Sequence, residues 1–160
     1  IASAAEWIDA EIKTMWVRQN SDGVIEGWHG DGNFARTSLM YALWKTQGVT
    51  VQPWRADIRF GAAREGECLC ISLVADEPWE GRIIFDRERH RLNMHLPLDY
   101  PRINQFPEWF TAQADAAYEL RNAASGEKQT RTGKELLDGV AVSLKAGEEL
   151  RLIVKQVGEK

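Results

Sequence analysis

Near Val49 the apolar side chains of this chain change their period. Before it they recur once per helical turn, at Ile8, Ile12, Met15 and Trp16 and again at Ala35, Leu39, Met40, Leu43 and Trp44. After it they recur at every second position, most clearly where Leu69, Ile71 and Leu73 alternate with Cys68, Cys70 and Ser72. A period of about 3.6 buries one stripe of a helix, and a period of two buries one face of a strand. The switch therefore predicts an α+β fold, with an N-terminal antiparallel helix pair followed by an antiparallel β-sandwich. It divides the chain into a helical hairpin over residues 1–48 and a β-sandwich domain over residues 49–160.

Punctuation along the chain refines this division. Ser3-Ala4-Ala5-Glu6 has the spacing of a capping box, and the first helix is expected to run to about Gln19. Asn20-Ser21-Asp22-Gly23 is turn chemistry, and Val24-Ile25 a short extended piece. Asn33 or Asp31 is placed to cap a second helix over Phe34–Gln47, which Gly48 stops in a left-handed conformation. Pro53-Trp54 reads as a linker. Strands are expected over 57–62, 68–75, 82–86 and 91–96, with Glu77–Gly81 a loop. Ala117–Arg121 and Gln129–Thr132 form a predicted hairpin, Glu135-Leu136-Leu137 a turn-like insert, and Val140–Leu144 with Glu149–Val157 a closing hairpin. Short strands at this spacing suit a sandwich. Two helices with stripes this apolar cannot cover each other fully, so the β-domain, further helices or a second chain is expected to cover the rest.

Composition narrows the function classes. A chain of 160 residues can bury roughly 70% of its unfolded surface, so it needs neither a disulfide nor a metal to hold a core. A net charge of −4 argues against a nucleic-acid footprint, which is basic. No apolar run reaches the length of a membrane span. Most of the seven tryptophans are expected in the core, although tryptophan also stacks on sugars. Cys68 and Cys70 are too far apart along a strand to bond to each other and read as buried thiols. The chain opens at Ile1 inside a predicted helix, so we expect a processed or truncated product.

Several stretches carry a resemblance. Gly133-Lys134-Glu135-Leu136-Leu137-Asp138-Gly139-Val140, then Leu144-Lys145-Ala146-Gly147-Glu148-Glu149 and an apolar last strand, resemble the closing β-sandwich of many bacterial carbohydrate-active enzymes. Asp31-Gly32-Asn33-Phe34-Ala35-Arg36 with Leu39-Met40-Tyr41-Ala42-Leu43-Trp44 is similar to the last helix of the (α/α) toroid that precedes such a sandwich. Trp79-Glu80-Gly81, His90-Arg91 and Pro107-Glu108-Trp109-Phe110 look like an uncharacterised bacterial family of that layout. The resemblance implies a polysaccharide or acidic-sugar ligand and a helical partner domain. It also implies a periplasmic or extracellular location. Its motifs are architectural rather than catalytic.

Three stretches could carry chemistry. In Trp28-His29-Gly30-Asp31-Gly32-Asn33, glycines allow close approach of a ligand and the following helix offers free N–H groups to an anion. His29 and Asp31 are the candidate catalytic residues, and Trp28 and Arg36 candidate ligand contacts. A plain reading, in which Asp31 and Asn33 cap the helix and His29 bonds locally, stands beside it. The proline-pinned loop from Asp99 to Trp109 offers Tyr100, Arg102 and Trp109 to a sugar; alternatively its aromatics are buried. Arg82, Arg87, Arg89 and Arg91, with His90 and His95, could form an anion site. The favoured reading is a solvated strand edge whose arginines pair with Asp86, Glu88 and Asp99, with the two histidines on opposite faces. No cofactor and no metal is called for. The expected function is a non-catalytic accessory or glycan-binding module that braces a helical domain. The alternative is the C-terminal part of a polysaccharide hydrolase or lyase that lends His29 and Asp31 to a cleft.

Overall fold

The computed structural model describes residues 2–21, 33–92, 95 and 109–158. The chain forms two compact units, residues 1–43 and residues 44–160. An N-terminal helix pair precedes two antiparallel sheets that pack together as a sandwich.

The helix pair is α1 (Ala2–Trp16) and α2 (Asn33–Thr46). α1 begins at Ala2, so Ser3 lies inside the helix rather than at its cap. It stops at Trp16, and the next residues turn through bonds from the Arg18 N–H to the Met15 carbonyl and from the Gln19 N–H to the Trp16 carbonyl. Asn33 is likewise the first helical residue of α2. Tyr41 of α2 donates its hydroxyl to Asp9 of α1 at 2.8 Å and meets Trp16 edge-on, with ring centroids 6.2 Å apart. α2 ends one residue before its expected limit, because Gln47 and Gly48 both turn left-handed, at φ 50° and 73°.

The sandwich sets β1 (Thr50–Gln52), β4 (Trp79–Ile84) and β7 (Val140–Leu144) against a five-stranded sheet. The larger sheet has β2 (Ile58–Glu65), β3 (Cys68–Ala75), β8 (Glu149–Val157), β5 (Ala117–Asn122) and β6 (Lys128–Thr132), in that spatial order. Every strand pair is antiparallel. Leu69, Ile71, Leu73, Leu120, Leu152 and Val154 of the large sheet meet Val51, Trp79, Ile83, Val140 and Leu144 of the small one in a single core. The two-residue alternation seen in the sequence is thus the pleat of β3, with its apolar face inward.

Several local expectations change. Trp79 and Gly81 are not in a loop: Trp79 starts β4, is buried, and donates its indole N–H to the Pro53 carbonyl at 2.9 Å. Glu77-Pro78 reads as a turn, but the strand starts immediately after it. The last two strands do not form a hairpin. β7 pairs with β4 and β8 with β3 and β5, so Lys145–Glu148 crosses from one sheet to the other, tied by the Gly147 N–H to the Ala75 carbonyl. The turn-like insert is a short helix, α4 (Gly133–Asp138), with a reciprocal capping box between Thr132 and Glu135. Arg91 and Leu92, expected to open a strand over 91–96, belong instead to one helical turn, α3 (Arg89–Leu92); residues 93, 94 and 96 lie outside the described residues. The argument that put His90 and His95 on opposite strand faces therefore does not apply. Cys68 and Cys70 are free and half-buried on the outward side of β3, not buried. Burial pushes the Cys70 thiol above its usual range, and the charges of Glu65 and Cys68 add to that.

Candidate functional site

The sandwich alternation breaks at one end. On β2 the inward positions read Ile58, Phe60, Ala62 and then Arg64; on β8 they read Leu150, Leu152, Val154 and then Gln156. The register fixes these faces, since Arg64 pairs with fully buried Leu69, which in turn pairs with Val154. Polar side chains thus take the last inward positions of an edge strand and of the central strand. Inward charge is a known way to protect an edge strand, but the central β8 has no edge to protect.

An open groove of about 630 Å³ lies at this end. It is lined by Arg64, Glu67, Trp109, Thr111, Lys155 and Gln156, with Gly66, Phe110 and Gly158 completing it. That volume is in the range of small-ligand sites. A second trough of about 710 Å³ adjoins it at Gln156 and Gly158 and runs past Gln113 and Asp115. Lys155 reaches Glu67 at 3.5 Å, and both side chains are well exposed, so this pair holds little in place.

The wall shared by groove and trough is a strap, residues 109–116, pinned at several points. Thr111 bridges to Asp86 in parallel fashion, and the Ala112 N–H donates to the Asp86 carbonyl at 2.9 Å. Phe110 is buried edge-on between Phe85 and Tyr118, each 6.1 Å away. The Gln113 N–H donates to the Tyr118 hydroxyl at 2.9 Å. The start of α4 does the rest: the Gly133 N–H donates to the Ala116 carbonyl and the Lys134 N–H to the Ala114 carbonyl. Only glycine fits at position 133, because a Cβ there would overlap the Gln113 carbonyl. The strap has therefore given up its freedom before any ligand arrives, which lowers the cost of binding.

Beneath the strap sits Asp86, the one buried charged residue among the described residues. Its Oδ1 accepts from the Arg87 N–H at 2.9 Å and from Arg89 Nε at 2.8 Å. Its Oδ2 has no hydrogen-bond partner and lies against Gly48, where a Cβ would approach to 2.8 Å. Within the arginine cluster, Arg89 supports this carboxylate, as the favoured pairing reading had it for Asp86.

Of the candidate residues, Trp109 stands in the groove and is half-buried rather than fully packed. Arg36 is exposed in the first turn of α2, in the other compact unit. Trp28, His29, Asp31, Tyr100 and Arg102 lie outside the described residues, so the catalytic alternative has no described geometry. Sequence reasoning missed Arg64, Glu67, Thr111, Lys155 and Gln156. Their one advance signal was an arginine and a glutamine in register with aliphatic inward positions. Among the described residues no group of three or more His, Cys, Asp or Glu could hold a metal ion, and no helix is long and apolar enough to cross a membrane.

Comparison with protein-family models, with curated proteins and with solved structures finds no match to this chain.

Proposed function

We propose that this protein is a non-catalytic glycan-binding module, with its β-sandwich gripping a polysaccharide and its helix pair bracing a helical domain of a carbohydrate-active protein. The observation that carries the reading is the half-buried Trp109, held by a pinned strap beside an open groove whose lining also holds Arg64, Glu67, Thr111 and Gln156. A tryptophan face stacks on the C–H face of a sugar ring, and nearby amide, hydroxyl and charged groups meet the ring hydroxyls. Gln156, Thr111 and Glu67 are of that kind. The adjoining trough extends the path beyond one sugar, as a polymer needs.

The bracing role is supported by the apolar side chains that the helix pair leaves in water. Trp7 is 64% exposed, Val17 79% and Leu39 62%. Side chains of this size and number on so short a pair mark a surface that another helix or chain covers.

Affinity electrophoresis through gels containing neutral and acidic polysaccharides tests the glycan reading. At least one polymer is expected to retard the protein, and Trp109→Ala to weaken that retardation by roughly tenfold or more, the scale of a lost aromatic contact. Unchanged mobility in every polymer contradicts the reading.

A further inference from the structure

Resting on the reading of the groove as a glycan site, we propose that it selects an anionic sugar and that Arg64 receives the carboxylate of a uronic acid residue. Among the described residues Arg64 makes neither a hydrogen bond nor an ion pair. The contrast with its neighbours is sharp. Arg55, Arg59, Arg89, Arg131 and Arg151 each hold a carboxylate on this same sandwich. Arg82 and Arg121 also lack a carboxylate, but they stand on outward positions beside the inward Ile83 and Leu120 and outside the groove lining.

Arg64 differs in place. It occupies an inward register position and shares the lining of the groove with Trp109. A guanidinium offers a planar fork of donors matched to a carboxylate, and the pair they make is a charge-assisted one. Lys155 stands on the outward face of β8, opposite Cys68, and its ammonium already meets Glu67, the one carboxylate in the lining, at 3.5 Å. Arg64 therefore leaves the groove with an excess of one positive charge in a chain whose net charge is −4. A neutral sugar would gain nothing from that excess, whereas a uronate would satisfy it.

The test compares polygalacturonate and alginate, each as the sodium salt and as its neutral ester, against wild type, Arg64→Gln, Arg64→Lys and Trp109→Ala. Wild type is expected to bind at least one acid form roughly tenfold or more tighter than its ester, the usual gain from a charge-assisted contact. That preference should shrink as sodium chloride is raised. Arg64→Gln should erase the preference and Arg64→Lys should keep part of it, with the melting temperature of each checking that it folds. Trp109→Ala should weaken acid and ester alike. Equal binding of acid and ester by wild type, with both lost in Trp109→Ala, overturns the anionic assignment and leaves the glycan reading standing. Preference for a sulfated dextran over every uronate overturns the carboxylate assignment. Binding to none of these polymers, nor to any neutral glucan, removes both readings. Should Arg64→Gln fail to fold, the acid-to-ester ratio of the wild type and of Arg64→Lys still decides.

Discussion

The helix pair and the sandwich treat apolar side chains in opposite ways. In the sandwich, Leu69, Leu73, Leu120 and Val154 are fully buried and Trp79 nearly so. Among the described residues of the helix pair only Ile12 is buried, while Trp7, Ile8, Trp16 and Leu39, with Val17 just after α1, are exposed. Both patterns are equally regular in sequence. A strand's face finds its partner in the opposing sheet, whereas two short helices have too little facing surface to use their stripes. The sandwich completes its own core, whereas the helix pair leaves most of its apolar stripe exposed among the described residues.

Core truncation should give the largest contrast. Leu73→Ala or Leu120→Ala is expected to cost about 2–5 kcal/mol in chemical denaturation, against a change within about 0.5 kcal/mol for Trp7→Ala or Val17→Ala. Comparable losses in both regions would mean that the helix stripes are covered in solution.

Next comes the strap. Gly133→Ala must push the Gln113 carbonyl aside, because the new Cβ would overlap it. We expect about 1–3 kcal/mol of destabilisation, together with weaker glycan binding. Full stability with full binding would show that the strap is not held from α4.

A smaller effect is expected at the support below. Arg89 is 57% exposed, so Arg89→Ala should cost about 1 kcal/mol or less. Asp86→Ala, which also leaves the Arg87 N–H without its acceptor, should cost about 1–3 kcal/mol by thermal or urea melting. An Arg89 loss exceeding that of Asp86 would reverse the assigned roles.

The weakest contrast is in pH. Burial, then the hydrogen bond and charge of Asp9, push Tyr41 up to about 12. A raised value means that the folded state favours the neutral phenol. That contribution is fully present below the usual tyrosine range near 10 and is lost as pH rises through about 12. In the sandwich the sign is opposite. The Arg151 side chain, with Ser72, holds Glu149 below the usual carboxylate range, the Thr132 backbone and hydroxyl do the same for Glu135, and Arg59 for Asp76. These contributions are present above that range and are lost as pH falls below it. Tyrosinate absorbance should report a late step, belonging to Tyr41, that Asp9→Asn shifts downward, while acid should weaken the sandwich before the helix pair. An absorbance titration that Asp9→Asn leaves unchanged would contradict this.

How much of this could be read in advance depended on whether the signal was local. The pleat of β3 and the ends of β7 and β8 were legible, because alternation and turn residues lie within a few positions of each other. The partners of β7 and β8 were not, since a short connection serves a hairpin or a sheet crossing equally well. α4 was too short to show a helical period, and its Thr132–Glu135 capping box went unread. Trp79 was assigned to a loop because Pro78 and Gly81 flank it, yet its indole bond to Pro53 and its burial decide for a strand. In the groove, Trp109 stood out by residue type alone. Arg64 and Gln156 lie far apart in the chain and come to the same inward face only through the pairing of β2, β3 and β8.

The most direct test follows the indole N–H signals of the seven tryptophans in a ¹⁵N-correlated spectrum as an oligosaccharide of the retarding polymer is added. The account predicts that the Trp109 signal, assigned by its loss in Trp109→Phe, moves in a saturable way while that of buried Trp79 stays still. A static Trp109 signal under saturating ligand, or movement confined to Trp7 and Trp16 of the helix pair, would contradict it.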